Sequence, residues 1–189
     1  SHGKPVPGTE QYFECDTLLL SVGLLPENEL SEMAGVVLSP NTSGAVVDET
    51  LQTSVPGIFA AGNVLHVHDL VDFVSEEAEL AGQNAAEFVN TEQFKAETRR
   101  SVVMGNGVNA IVPQQISANP VRDVRIMFRP RAVYKNAKII ASIGDKALYT
   151  RKAKILAPGE MVNFTLSKDE LADADLSLPL TVLIEEASK

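Results

Sequence analysis

The ten residues 54–63, Ser-Val-Pro-Gly-Ile-Phe-Ala-Ala-Gly-Asn, constrain the fold of this 189-residue chain more than any other segment. Pro56 and Gly57 predict a turn, and Ile58 begins a short apolar strand. The small residues that follow let another group come close, because glycine has no Cβ atom. Asn63 then lies at the carboxyl end of the strand, where open α/β sheets bind ligands. Two interpretations stay open at this point, a ligand contact or tight packing of a strand under a helix.

Three segments, in this order, resemble the FAD-dependent pyridine nucleotide-disulfide oxidoreductases of the thioredoxin reductase-like superfamily. Residues 15–26, Cys-Asp-Thr-Leu-Leu-Leu-Ser-Val-Gly-Leu-Leu-Pro, resemble the stretch that leads from the nicotinamide domain back into the flavin domain. Residues 54–63 are similar to the second flavin-contacting motif. Residues 71–89 resemble the helix whose N-terminus faces the flavin pyrimidine ring. The resemblance covers about residues 5–90.

The resemblance implies a set of cofactor-binding residues. It assigns Gly62 and Asn63 to the ribityl and pyrophosphate region of FAD. It assigns the backbone N–H groups near Phe73 and Val74 to the pyrimidine oxygen of the flavin, where a helix N-terminus stabilises negative charge. The family has an aspartate where this chain has Asn63, and asparagine still donates and accepts hydrogen bonds. The expected cofactors of the full-length protein are FAD and NAD(P), and its catalytic residues stay unknown.

No glycine-rich dinucleotide fingerprint opens a helix in this sequence. The nearest match is Gly-Asn-Gly-Val-Asn-Ala at residues 105–110, but Pro113 lies where the first turns of the helix should run. We therefore expect the chain to be the C-terminal part of a larger enzyme. Such a part would neither retain FAD nor be active by itself.

Charge and hydrophobic period divide the chain into two halves. Residues 1–97 carry 2 Lys/Arg against 16 Asp/Glu, whereas residues 98–189 carry 14 against 9. The sequence predicts a mixed α+β chain with three parts. Residues 1–96 form the C-terminal part of an FAD/NAD(P)-binding α/β domain, and residues 97–120 form a connector with some short strand content. Residues 121–189 form a small antiparallel β domain, either a sandwich or an open barrel.

Local patterns predict individual elements. The apolar run at residues 17–22 indicates a strand buried on both faces, with Cys15 as a small core residue before it. Residues 72–90 have the helical period, with Asp72 as N-cap. Gly144-Asp145-Lys146 predicts a hairpin turn. The apolar stripe of the helix is expected to contain Val74, Ala78, Ala81, Ala85, Phe88 and Val89, with Glu76, Glu77, Glu79 and Glu87 largely off it.

Two clusters of polar residues have competing interpretations. Basic residues concentrate between Arg122 and Lys154, which indicates the solvated face of a sheet or docking against the acidic half, rather than a nucleic-acid surface. His66-Val67-His68-Asp69 offers two imidazoles on one side of an extended segment. No third ligand group is evident, so we expect no metal site and interpret the segment as a loop. In the family this loop faces the cleft, which leaves both histidines as candidate lining residues.

The function implied by the resemblance is transfer of hydride from a nicotinamide to FAD, with electrons passing to an unidentified small-molecule or protein acceptor. The alternative is a non-catalytic module, in which the β domain mediates protein–protein interaction or assembly. The single cysteine and the lack of an apolar run of about 18 residues fit a cytoplasmic protein without a membrane span. Whether the protein forms homo- or hetero-oligomers stays open.

Overall fold

The computed structural model describes residues 5–21, 23–91 and 98–186. Within these ranges the helices are α1 (Glu29–Met33), a 3-10 helix (Gly62–Val64), α2 (Val71–Asn90) and α3 (Lys168–Ala172). The strands are β1 (Arg99–Met104), β2 (Val108–Val112), β3 (Gln115–Ser117), β4 (Val124–Pro130), β5 (Tyr134–Ile143), β6 (Lys146–Leu156), β7 (Val162–Leu166) and β8 (Leu180–Glu186). The predicted boundary between residues 96 and 97 falls outside the described ranges.

The N-terminal apolar run differs from its prediction. Residues 17–21 form no strand, and the last predicted strand residue, Val22, lies outside the described residues. Leu18, Leu19 and Leu20 are 72–91% exposed, and Cys15 is exposed as well. A strand needs a neighbouring strand to pair its backbone groups, and the described residues place none beside this segment. The expectations of a buried strand and a core cysteine are therefore not met.

Residues 35–61 are held together by single β-bridges rather than by continuous strands. Leu38 pairs with Ala45, and Gln52 pairs with Phe59, both in antiparallel fashion. The segment nevertheless contributes to an apolar core, in which Val36, Ala45, Val47, Leu51 and Ala60 are buried together with Leu65. The short strand predicted after Pro56-Gly57 is thus present only as a bridge.

Helix α2 confirms the predicted helix at residues 72–90, but its buried face is rotated. Ala81 is buried as expected, whereas Ala78 and Val89 are exposed. Glu77 and Asn84 take their place on the buried face. The Phe88 ring packs edge-on against Phe59 with the ring centroids 6.0 Å apart, which fixes the helix against the segment that precedes it.

The C-terminal half is a sandwich of two sheets. The larger sheet has the order β3-β1-β8-β5-β6, and the smaller one has the order β2-β4-β7. Both contribute to one apolar core that includes Phe128, Ile139, Phe164 and Val182. The predicted hairpin is confirmed, since Ile143 pairs with Lys146 across a two-residue turn. The domain departs from the antiparallel prediction at one place, where β1 and β8 pair in parallel.

Residues 98–120 contain more strand than the predicted connector. Strands β1, β2 and β3 all lie within these residues. β1 pairs with β3 and with β8, and β2 pairs with β4. The Gly105–Gly107 turn joins β1 to β2 and opens no helix. A Cβ atom on Gly105 would lie 2.7 Å from Cβ of Leu183, so the turn needs glycine to pack against β8.

The acidic and basic halves dock on each other. Three arginines of the basic cluster between Arg122 and Lys154 pair with acidic residues of the first half, at 2.9 Å (Arg122–Glu87), 2.7 Å (Arg125–Glu76) and 2.6 Å (Arg129–Asp69). Outside this cluster, Arg99 pairs with Asp48 at 2.7 Å. An apolar cluster also spans the halves, because Val112 and Met127 join the core of residues 36–81. The docking interpretation of the basic residues is therefore confirmed for these three arginines. No helix of the described residues is long and apolar enough to cross a membrane.

Candidate functional site

The structure brings the residues predicted from the flavin motif close to the start of α2. Gly62 begins the 3-10 helix with a φ of +73°, a left-handed conformation that favours glycine. A Cβ atom at this position would lie 3.4 Å from Cγ1 of Val74. Gly62 and Val74, predicted from separate segments to contact one cofactor, are therefore neighbours in space.

The N-terminus of α2 has no side-chain cap. The N-cap residue is Leu70, which makes no side-chain hydrogen bond to the helix. Asp72, the predicted N-cap, lies in the first turn instead. The first N–H groups of a helix have no partner within the helix, so an uncapped end favours a hydrogen-bond acceptor or an anion.

Asn63 and Phe73 lie on either side of the loop that leads into α2. The exposed Asn63 accepts a 3.1 Å hydrogen bond at Oδ1 from the backbone N–H of His68. Phe73 is half-buried, and the Arg125 guanidinium carbon lies 5.7 Å from its ring centroid, a cation–π contact from the basic half. Gly62, Asn63, Phe73 and Val74 thus flank one short loop. Arg125 of the β domain contacts Phe73 at one side of it.

Two histidines of this loop and one glutamate of α2 form a buried cluster. His66 Nε2 lies 2.9 Å from Oε2 of Glu77, and His68 Nε2 lies 3.0 Å from Oε1. The Gly62 backbone N–H also donates to Oε1, at 2.6 Å. All three side chains are at most 4% exposed. The two imidazole rings are tilted over each other, with their centroids 4.0 Å apart.

The environment of this cluster shifts the acidity of its members. Burial by itself would raise the pKa of Glu77, but the hydrogen bonds from His66 and Gly62 and the attraction of both imidazoles outweigh burial and lower it. Burial lowers the pKa of His68, with a further contribution from repulsion by His66. Both shifts favour a glutamate anion beside a neutral His68.

A second polar contact fixes the far side of the loop to the β domain. Arg129 donates to Oδ1 of Asp69 at 2.6 Å and to the carbonyl oxygen of Val67 at 2.9 Å. Asp69 also accepts a 2.8 Å hydrogen bond from the backbone N–H of Met161. Burial would raise the pKa of Asp69, but these hydrogen bonds and the Arg129 charge lower it. The loop conformation thus depends on both halves of the chain.

Glu77 is the functional candidate that the sequence pattern missed. The predicted stripe of α2 left Glu77 on the polar side, because glutamates rarely lie on a buried helix face. A signal was nevertheless present, since two histidines precede the helix by a few residues and buried carboxylates need such partners. The interpretation of residues 66–69 as a loop is correct, but the His66 and His68 side chains point into the protein rather than lying on its surface.

Comparison with known proteins agrees with the resemblance found from the motifs. The model of the pyridine nucleotide-disulphide oxidoreductase family matches residues 2–87. Dihydrolipoyl dehydrogenase from Caenorhabditis elegans is 39% identical over 42% of this chain and 16% of its own length. No solved structure matches the chain significantly.

Two further relatives carry pyridine nucleotide or reductase names. The β subunit of an NADP(+)-dependent formate dehydrogenase from Moorella thermoacetica is 31% identical over 75% of this chain and 19% of the subunit. Thioredoxin reductase from Listeria monocytogenes is 33% identical over 50% of this chain and 30% of the reductase. The chain therefore spans less than a third of each of these relatives. Over residues 2–87 the chain is therefore similar to the pyridine nucleotide-disulphide oxidoreductase family.

Proposed function

We propose that this chain supplies the ribityl-side and pyrimidine-side contacts of an FAD site in a longer, NAD(P)-linked oxidoreductase. When bound, FAD would supply hydride acceptance from the nicotinamide and electron delivery to an acceptor. Gly62 and Asn63 would contact the ribityl and pyrophosphate region. The N–H groups near Phe73 and Val74 would donate to the pyrimidine oxygen of the flavin.

The observation that carries this proposal is the meeting of Gly62 with an uncapped helix end. Gly62 has the left-handed backbone that lets a chain turn without a side chain, and Val74 in the first turns of α2 lies beside it. The Leu70 N-cap leaves the first N–H groups of α2 without a side-chain acceptor among the described residues. An electron-rich flavin oxygen is the kind of acceptor that such a helix end favours.

The exposed N-terminal segment supports the view that the chain is part of a longer protein. Tyr12, Leu19 and Leu25 are each 88% exposed or more, although residues of this size usually become buried. Residues 15–26 correspond to a return into the flavin domain in the resemblance described above. Burial of this segment in the remainder of a flavin domain would explain its apolar character.

The names of the relatives support NAD(P) as the nucleotide of the longer protein but do not identify its electron acceptor. Among their names are an NADP(+)-dependent formate dehydrogenase subunit, a nitrite reductase [NAD(P)H] and a ferredoxin–NADP reductase. Their acceptors and donors differ, so no substrate is carried over to this chain. The formate dehydrogenase match spans 75% of the chain, which extends beyond residue 87 into the β domain.

Asn63 offers the sharpest test of the assigned contacts. In the protein extended by the remainder of its flavin domain, Asn63→Ala should lower FAD retention by roughly 2- to 12-fold, because one net hydrogen bond contributes about 0.5–1.5 kcal/mol. Asn63→Asp, which introduces the residue of the family motif, should retain FAD as well as the unchanged protein. Equal FAD retention by Asn63→Ala would contradict the role of this residue.

A partner-binding β module remains the second candidate, and one observation bears on it. β6 is an eleven-residue edge strand that pairs only with β5 among the described strands. Such an edge offers backbone groups to an added strand. Its side chains include Lys146, Arg151, Lys152 and Lys154, a pattern typical of edges protected against pairing. These charges disfavour the addition of a partner strand at β6.

A further inference from the structure

Three potential metal ligands lie close together where the loop before α2 packs against that helix. One ring nitrogen from His66, one from His68 and one carboxylate oxygen from Glu77 all lie within 4.8 Å of one another. The histidines come from the loop after the 3-10 helix, and Glu77 comes from α2. The sequence alone showed the two histidines but no third ligand, and the fold supplies it.

The donor set matches the chemistry of a divalent transition-metal ion. Two imidazole nitrogens and one carboxylate oxygen form a ligand set found in catalytic zinc sites and in non-haem iron sites. The carboxylate is also held in place, because Gly62 donates a 2.6 Å hydrogen bond to Oε1 of Glu77. Hydrogen bonds of this kind orient the ligands of metal sites.

Burial sets this cluster apart from a chance group of surface residues. The His66, His68 and Glu77 side chains are 3–4% exposed, so the ligand atoms are withdrawn from bulk water.

Space for a further ligand lies next to His66. His66 and Arg129 line a cavity of about 160 Å³ between the two halves of the chain. A water molecule needs only about 10–15 Å³ of such space, so solvent can occupy this cavity. Of the three proposed ligands, His66 lines this cavity.

We propose that His66, His68 and Glu77 bind one divalent transition-metal ion, with Zn²⁺ as the reference ion. The ion would take the Nε2 atoms that now face the Glu77 carboxylate, each imidazole then carrying its proton on Nδ1. It would join the loop and α2 through metal bonds in place of two hydrogen bonds. This site shares the Gly62–Glu77 hydrogen bond with the proposed flavin contacts, but metal binding to it can be measured without FAD.

The test is titration of the metal-free 189-residue chain with ZnCl₂ by calorimetry, together with metal analysis after dialysis. We expect one Zn²⁺ per chain with saturable binding at micromolar concentration. His66→Gln, His68→Gln and Glu77→Gln should each weaken binding at least about tenfold, because each removes one of three protein ligands. His2→Gln, which removes the remaining histidine of the chain, and Glu79→Gln, on the exposed face of α2, serve as matched controls.

Two readouts keep the test valid if a variant folds poorly. Zn²⁺ should raise the melting temperature of the unchanged chain, because a ligand that binds the folded state stabilises it. Co²⁺ should give the visible absorption of a nitrogen- and oxygen-ligated ion, and Zn²⁺ should remove that absorption by competition. Absence of saturable Zn²⁺ binding to the unchanged chain would overturn the proposal. So would binding that His66→Gln and His68→Gln leave unaltered while His2→Gln abolishes it.

Discussion

The backbone N–H of Gly62 donates a 2.6 Å hydrogen bond to Oε1 of Glu77, fifteen residues further along the chain. This bond ties the end of the Ala-Ala-Gly segment to the buried face of α2. The same carboxylate accepts hydrogen bonds from His66 and His68, so one side chain holds the whole loop between the 3-10 helix and α2. The position of the proposed flavin contacts therefore depends on Glu77.

Replacement of Glu77 by alanine should destabilise the chain by about 2–4 kcal/mol. The change leaves the Gly62 N–H and two imidazole N–H groups buried without an acceptor, and each such group costs about 1–3 kcal/mol before relaxation. Glu79→Ala, on the exposed side of the same helix, should change stability by less than about 0.5 kcal/mol. Urea unfolding of both variants measures the difference, and equal stability of the two would contradict a central role for Glu77.

The contact between Asp69 and Arg129 should contribute measurable coupling between the halves. The Arg129 side chain is 20% exposed and also binds the Val67 carbonyl oxygen, so this pair is better placed than an ordinary surface pair. A double-mutant cycle with Asp69→Ala and Arg129→Ala should give a coupling energy of about 0.5–1.5 kcal/mol. The Arg122–Glu87 pair is more exposed, at 35% and 44%, and should give less. Similar coupling for both pairs would show that burial does not set their strength.

Helix α2 and the β5–β6 hairpin could be predicted because their signals are local. The helical period at residues 72–90 and the Gly144-Asp145 turn each lie within one element. The burial of Glu77 and Asn84 could not be predicted, because it depends on partners far away, such as the carbonyl oxygen of Thr50 that accepts from Asn84. Local periodicity assigned Glu77 to the polar side and did not place Asn84 on the apolar stripe.

The strands of residues 99–117 and the exposure of residues 17–21 have a related cause. β1 pairs in parallel with β8, about 78 residues later, so its partner is invisible to a short window of sequence. The apolar run at residues 17–21 has the composition of a buried strand, but composition does not supply the neighbouring strands that bury it. The family motif, rather than local pattern, put Gly62 and Val74 in one predicted site, and the structure places these two residues next to each other.

Glu49 should make the stability of the chain depend on pH. Burial, reinforced by repulsion from Asp48, raises its pKa from 4.5 to about 7. Its carboxyl accepts from the Ser117 hydroxyl and from the Ser117 N–H at 2.9 Å, across the junction of the two halves. Because the folded state binds this proton more tightly than the unfolded state, the contribution to stability is complete below pH 4.5 and is lost as the pH rises through about 7.

The measurement is the free energy of unfolding between pH 5 and pH 8 for the unchanged chain and for Glu49→Gln. The unchanged chain should lose about 1–3 kcal/mol over this range relative to Glu49→Gln, because one pKa unit corresponds to about 1.4 kcal/mol. Glu160→Gln, at an exposed position, is the matched control and should leave the pH dependence of the unchanged chain intact. Parallel pH profiles for Glu49→Gln and the unchanged chain would show that this carboxyl does not titrate in that range.

Gly105→Ala should destabilise the β sandwich by about 1–3 kcal/mol. A Cβ atom there would lie 2.7 Å from Cβ of Leu183 and 3.0 Å from the Val182 carbonyl oxygen, so β1 and β8 would have to move apart. Gly159→Ala is the control, because a Cβ atom at Gly159 meets nothing within 4 Å. Thermal unfolding measures both, and an unchanged melting temperature for Gly105→Ala would mean that the turn relaxes at no cost.

The flavin content of the purified protein tests the central claim most directly. The 189-residue chain should purify colourless and show no saturable FAD binding at micromolar concentration, because it holds only the ribityl-side and pyrimidine-side contacts. The protein extended by the remainder of its flavin domain should carry one FAD per chain, bleached by anaerobic addition of NADH or NADPH. An extended protein that binds no flavin, or a 189-residue chain that binds FAD stoichiometrically, would contradict the account.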